Sequence, residues 1–370
     1  MKSRGHAIAA ALATMSVLAP SAALADTPPG SVQELQAGLD GILKAGAVGV
    51  IAEARLDGKV WRGSSGVVRR DRPGRPTGGE RLRAGSIVKT FVATVVLQLV
   101  GEGKLRLDDT LARMLPRTVA DDLVEAADKI TLRQLLTHSS GVLEYLPEGE
   151  PPGGALAGRH RTWKPAELVA LSRRYERPFK PGEKQVYSNT NYVLLGMIIR
   201  RATGHDFGAE IDRRVIRPLG LKDTEVPGAD PAITGPHLHG YLPGKDGRPV
   251  DISRYNMTVA SSAGNLISTD ADLNRFFRAL VTGKLLRPAL LKQMMTGQEY
   301  GMGLGMTTGP CGKLVGHTGT AYGYQTMSFH SADGRRQISV SYTPLTSKEL
   351  QAANAIVFKT LCPADDRKRS

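Results

Sequence analysis

From Ile87 to Val100 the chain carries apolar side chains on almost every side of a helical wheel, among them Ile87, Val88, Phe91, Val92, Val95, Val96 and Leu99. A helix with no polar face belongs inside a fold, so the remaining elements must be built around it. Gly85 and Ser86 precede it and read as a tight turn opening the helix. Lys89 is the exception in this apolar run. A buried lysine must be paired or lose its proton, because desolvation disfavours the ammonium form. It stands three residues after Ser86, on the same helical face. A hydroxyl at a helix start beside a lysine of lowered pKa is one way to activate a serine without histidine.

The elements around that helix follow from periodicity and punctuation. Ala45 to Leu56 and Lys59 to Val68 read as two strands turning at Asp57-Gly58. Leu107 to Leu115, with Asp108 or Asp109 as N-cap, and Thr131 to Thr137 read as short helices. Glu148 to Gly158 reads as a loop, and Trp163 to Tyr175 as a helix with Pro165 in its first turn. Asn189 to Thr203 is a second apolar helix, closed by Gly204. Strand signals return at Leu314 to His317, Gly323 to His330 and Gln337 to Tyr342, before a last helix from Lys348 to Leu361. Strands at both ends with helices between them imply an α+β chain. One sheet would be made from about 40–85 and 290–362, with a mostly helical insertion over about 100–260.

Residues 1–25 have the pattern of a signal peptide: Lys2 and Arg4, an apolar run from Ala7 to Leu18, and Ala23-Leu24-Ala25 as a cleavage site. The expected mature chain, 26–370, is therefore secreted, extracellular or periplasmic, and without a membrane anchor. A formal charge of +14 invites a nucleic-acid partner. The basic residues are interspersed with acids and few aromatics, which points instead to an anionic envelope or to solubility. Two cysteines, Cys311 and Cys362, in an exported chain argue for one disulfide. His237 and His239 lack a third ligand type nearby, so neither a metal nor a cofactor is expected. His138, at a helix end, reads as structural.

Two further motifs lie downstream of Ser86. Tyr187-Ser188-Asn189 precedes an apolar helix; a tyrosine there passes protons if an ammonium lowers its pKa, and Asn189 can bond an amide. His317-Thr318-Gly319-Thr320 ends a strand, where Gly319 admits a close approach and the threonine hydroxyls can bond a carboxylate.

In this order and spacing, Ser-x-x-Lys, Tyr-Ser-Asn and His-Thr-Gly resemble the motifs of the penicillin-recognising serine hydrolases related to class C β-lactamases. The combination is most similar to that of the secreted D-alanyl-D-alanine carboxypeptidases. The resemblance extends to Phe91–Leu107, Leu135–Gly141, Pro181–Gly196, Gly301–Gly323 and both cysteines. It implies a β-lactamase/DD-peptidase-like fold, with an antiparallel sheet flanked by helices and the site between sheet and helical part. It further implies a monomer that hydrolyses a small peptide or acyl substrate through an acyl-enzyme and is acylated by β-lactams. Ser86 would be the nucleophile, Lys89 its activator and Tyr187 the proton shuttle. The N–H groups of Ser86 and Thr320 would form the oxyanion hole. Asn189, His317, Thr318, Gly319 and Thr320 would bind substrate, with a protonated His317 helping to hold its carboxylate. Such carboxypeptidases carry an arginine after the Gly-Leu-Gly run, but here Gly303-Leu304-Gly305-Met306 is followed by Thr307 and Thr308. Val259 likewise stands where a tryptophan is expected. An esterase, a D-specific peptidase, a β-lactamase or a non-turnover penicillin-binding protein would use the same centre.

Overall fold

The computed structural model describes residues 32–116, 123–146, 154–173, 176–309 and 311–362. The expected signal segment, 1–25, lies outside them. Six strands form one antiparallel sheet: β1 (Gly49–Leu56), β2 (Lys59–Gly66), β3 (Gly305–Gly309), β4 (Gly312–Ala321), β5 (Tyr324–Ser331) and β6 (Arg336–Tyr342), in the order β2-β1-β6-β5-β4-β3. The N-terminal hairpin thus joins the C-terminal meander through the β1–β6 pairing, which sets Ile51 opposite Ser341 and Ala54 opposite Ile338.

Period-two alternation divides the apolar residues between two cores. Val50, Ala52 and Ala54 face helices α1 (Val32–Lys44) and α6 (Glu349–Leu361), where they meet Leu39, Ile42, Ile356 and Val357. Ile51 faces the other way, into the larger core built on α2 (Val88–Gly101) and α4 (Asn189–Thr203). Buried α2 residues include Phe91, whose ring stacks on Phe276 of α5 (Asp270–Val281) at 3.7 Å. A buried polar seam also lies between α5 and the sheet. Asn274 donates to the Glu53 carbonyl at 2.8 Å and accepts from Ser339 at 2.9 Å, while Ser328 bonds both Ser339 and His330.

Several sequence expectations shift. Helix between Leu107 and Leu115 is confined to Leu111–Met114 with Thr110 as N-cap. Asp109 instead turns its carboxylate back to the Arg106 N–H. The Trp163–Tyr175 helix runs only over Pro165–Ser172, and Tyr175 is outside the described residues. The end of the expected loop at Glu148–Gly158 is a helical turn, Ala155–Gly158, whereas 147–153 are not described. The mostly helical stretch also holds a small strand pair, Tyr241–Pro243 with Pro249–Asp251. Thr131 caps helix α3 (Leu132–Leu136) through a capping box with Gln134, and left-handed Gly204 closes α4.

Cys311, at the start of β4, pairs with Cys362, just past α6, their Cα atoms 5.2 Å apart across a sequence separation of 51. Closing a loop of that length stabilises by about 4 kcal/mol in the chain-entropy model. Cys362→Ser is expected to lower the unfolding free energy by about that amount in denaturant titrations. An unchanged midpoint, or two alkylatable thiols in the unreduced denatured protein, would show that the link does not form.

Candidate active site

The site is assembled where the start of α2, the start of α4 and the end of β4 meet. Gly85–Ile87 form a single 3-10 turn that runs directly into α2. Gly85 has φ +54°, and a methyl group there would sit 2.9 Å from the Thr320 nitrogen. A side chain on Gly319 would collide with the Ala84 carbonyl. These two glycines let the end of β4 press against the Ser86 turn. Ser86 is partly exposed although Gly85, Ile87, Val88 and Lys89 around it are buried.

Backbone geometry directs donors to the same place. The Tyr322-Gly323 turn closes the β4–β5 hairpin on the Ala321–Tyr324 pair, and β3 covers β4 only as far as Gly316. Bonds across an antiparallel pair fall on alternate residues, so the N–H groups of Thr318 and Thr320 face the open edge of β4. That edge borders Ser86.

Lys89 is fully buried. Its Nζ lies 3.0 Å from Ser86 Oγ, 2.7 Å from Asn189 Oδ1 and 2.6 Å from the Ala263 carbonyl oxygen. Burial pulls its pKa down to about 7, against the opposing pull of the Glu144 carboxylate. Three acceptors match the three hydrogens of an ammonium. After loss of one proton, the amine still donates to Asn189 and Ala263, and its lone pair is left facing the Ser86 hydroxyl. Glu144 accepts from Asn189 N at 2.7 Å and from Asn189 Nδ2 at 2.8 Å. Its own pKa is raised by burial. Asn189 thus couples the lysine to the carboxylate and retains one donor and one acceptor valence for a substrate amide.

Tyr187 is half-buried, hydrogen-bonds Ser86, and has Lys89 Nζ 4.9 Å from its ring centre. The expected lowering of its pKa does not occur. Burial raises it and outweighs the Ser86 hydrogen bond. Any proton passed by Tyr187 therefore belongs to a neutral phenol.

His317 also departs from expectation. It is buried, and desolvation together with the nearby Lys89 charge depresses its pKa to about 3. The neutral ring donates from Nδ1 to the Thr318 carbonyl at 2.5 Å and accepts at Nε2 from the Tyr300 hydroxyl at 3.0 Å. It brings no positive charge to a substrate carboxylate. Thr318 and Thr320 are exposed, and Thr320 Oγ1 donates to Gln325 Oε1 at 3.0 Å.

Pairing register fixes the face that each residue after Met306 joins. Thr307 is opposite Leu314, whereas Met306 is opposite Val315. Thr307 therefore shares the sheet face of Leu314, and His317 lies on the other face. An arginine at Thr307 would project away from the His317 side, on the face that Leu314 shares with Thr318 and Thr320. Two arginines of the helical part that could supply the charge instead are engaged elsewhere: Arg159 bonds the Leu156 carbonyl and Arg161 lies over the Trp163 ring at 3.5 Å.

Glu144, Tyr300 and the Ala263 carbonyl carry no local sequence signal, and the motifs do not reveal them. His237 and His239 stack at 4.8 Å, with His239 bonded to Asp251 at 2.6 Å.

Comparison with known proteins identifies the family of this fold. The Beta-lactamase family model matches residues 22–356. The crystal structure of a D-stereospecific amidohydrolase from Streptomyces sp. superposes with a TM-score of 0.80 at 34% identity, covering 90% of this chain and 99% of that one. A D-amino acid amidase from Ochrobactrum anthropi SV3, in complex with L-phenylalanine amide, gives 0.78 at 27% identity over 91% and 99%. A putative D-alanyl-D-alanine carboxypeptidase of Escherichia coli K12 is 28% identical over 191 residues, which span 50% of this chain and 42% of that relative. A family match across most of the chain, on a fold shared with solved hydrolases, places the chain in the β-lactamase family of active-site serine hydrolases.

Proposed function

We propose that the protein is an exported serine hydrolase that cleaves amides of D-configured amino acids or short peptides through an acyl-enzyme on Ser86. The observation that carries this reading is the buried Lys89 amine, 3.0 Å from a partly exposed Ser86 hydroxyl and drawn down to a pKa of about 7. Neutral Lys89 takes the Ser86 proton as Oγ attacks the substrate carbonyl. The developing oxyanion is met by the N–H groups of Ser86 and Thr320, pre-oriented donors of a kind that contribute about 3–4 kcal/mol when tested singly. Tyr187 relays a proton to the leaving amine. Water then attacks the ester, and the same groups return the proton to Ser86. Asn189 bonds the substrate amide with its remaining valences.

Neutral His317 decides between leaving groups. A carboxypeptidase benefits from a cation beside the terminal carboxylate, and a charge-assisted hydrogen bond is worth about 1.5–3 kcal/mol, or roughly 10–100-fold. With His317 uncharged and Arg159 and Arg161 engaged elsewhere, a C-terminal amide suits the site better than a free acid. The amidohydrolase and amidase likenesses support this reading and its D-stereochemistry. D-Ala-D-Ala carboxypeptidase activity, the first expectation from sequence, becomes the minor one.

The test is a matched pair, an N-acyl-D-Ala-D-Ala peptide as free acid and as C-terminal amide, with the L-configured amide alongside. The D-amide is expected to have the highest kcat/KM. A preference of about tenfold or more for the free acid, the lower bound of one charge-assisted bond, would contradict the assignment.

A further inference from the structure

His138 is tied into the site without touching Ser86. We infer that His138 is a positioning residue that sets the Tyr187 hydroxyl on Ser86 by bracketing the tyrosine from both sides along the chain. The inference rests on the reaction proposed above, in which Tyr187 relays the proton.

The bracket consists of two hydrogen bonds. Val186 donates its N–H to the His138 carbonyl at 2.9 Å, and Ser188 donates its N–H to His138 Nδ1 at 3.2 Å. The residues immediately before and after Tyr187 are thus both fastened to one residue. Asn191, in the first turn of α4, adds a third bond from Nδ2 to the same Nδ1 at 3.3 Å. Since Nδ1 accepts, the proton is on Nε2. The imidazole also packs against the Tyr187 ring, 4.3 Å between centroids, and is flanked by Tyr300 at 4.9 Å and Tyr192 at 5.1 Å. The loop carrying Tyr187 is stapled again at Gly182, whose N–H donates to the Ser139 carbonyl at 2.7 Å.

His138 takes the left-handed position just past the end of α3, where Ser139 donates its N–H back to the Gln134 carbonyl at 2.8 Å. Its φ is +57°, a left-handed conformation that few residues other than glycine enter and that histidine, with asparagine and aspartate, adopts more readily than most. Its Nε2 is buried with no hydrogen-bond partner among the described residues. The helix end accounts for the backbone conformation, but the unpartnered Nε2 costs stability, and an apolar side chain chosen only to fill the core would avoid that cost. The turn that ends α3 thus delivers one ring acceptor to Ser188 and one carbonyl to Val186, on either side of Tyr187.

The substitutions separate these contributions. Asparagine tolerates the left-handed backbone, and its Oδ1 falls close to the place of Nδ1, so His138→Asn keeps the Ser188 bond and loses the ring. His138→Phe keeps the ring and loses the acceptor; His138→Leu replaces it if the larger ring does not fold. With a D-amino-acid amide as substrate, the acceptor-less variant is expected to lose kcat by on the order of 10²-fold, the cost of misplacing a catalytic group by about 1 Å, with KM little changed. His138→Asn recovers most of that loss. In a Tyr187→Phe background the same His138 changes have no further effect on kcat, because they act through the missing hydroxyl. The inference is overturned if the acceptor-less variant keeps wild-type kcat, if His138→Asn is as impaired as it, or if the two losses multiply with Tyr187→Phe. Acylation of Ser86 in the wild-type protein is measured alongside. Its absence would overturn the proposed reaction and this inference together, whereas its presence with an unimpaired acceptor-less variant removes only the role of His138.

Discussion

Replacing Ser86 with alanine is expected to lower kcat for a D-amino-acid amide by about 10⁴–10⁶-fold and to leave the fold intact. Alanine fits the short turn at Gly85–Ile87, where the Ser86 side chain is partly exposed and makes no contact that closes the core. Lys89 keeps two of its three partners, Asn189 and the Ala263 carbonyl. What is lost is the covalent step. Residual turnover over water would come from substrate binding and from the two oriented backbone N–H donors, which the substitution leaves in place. Steady-state kinetics with circular dichroism as a check on folding measures this directly. A variant that retained more than a few per cent of activity would place the nucleophile elsewhere.

The second large effect belongs to Lys89. Lys89→Met preserves the length and apolar stem of the side chain but removes the base, and kcat is expected to fall by about 10²–10⁴-fold. The wild-type pH dependence should carry the same signature. Activity needs the neutral amine, which is the minority form below its pKa and the majority form above it. With that pKa near 7, kcat/KM should fall about tenfold per unit as pH drops below 7 and level off above it. A free lysine titrates near 10.4, so an acid limb at about that value would mean that burial does not act on Lys89 in the free enzyme. A profile flat across the neutral range would remove Lys89 from the proton path.

Much of this site is legible because its chemistry is local in sequence. Ser86 and Lys89 are one helical turn apart, and an apolar helix containing one lysine already implies a buried amine of lowered pKa. Gly85 and Gly319 signal close approach, and the structure presses their backbones against the opposing segments. The end-to-end sheet follows from strands at both termini, and the β1–β6 pairing realises it. Electrostatic states are less legible. A charged His317 is the natural expectation at a position meant to meet a substrate carboxylate. Its state is set by burial, by Tyr300 seventeen residues upstream and by the charge on Lys89, none of which spacing reveals. The expectation for the Tyr187 phenol weighs the nearby ammonium alone, and desolvation reverses its sign. Glu144 escapes a sequence reading because one acid in a loop looks like any solvated charge until Asn189 folds onto it from a distant helix. Register explains the rest: a two-residue period decides which face Thr307 joins, and that depends on its partner strand.

The proposed reaction passes through a covalent acyl intermediate on Ser86. Treatment with a fluorophosphonate probe, which needs an activated serine and no carboxylate contact, followed by proteolysis and mass spectrometry, tests it most directly. One equivalent of adduct is expected on the peptide containing Ser86, its rate rising through a pH of about 7 as Lys89 loses its proton, and abolished in Ser86→Ala. An adduct on any other peptide, or one that persists in Ser86→Ala, would contradict it.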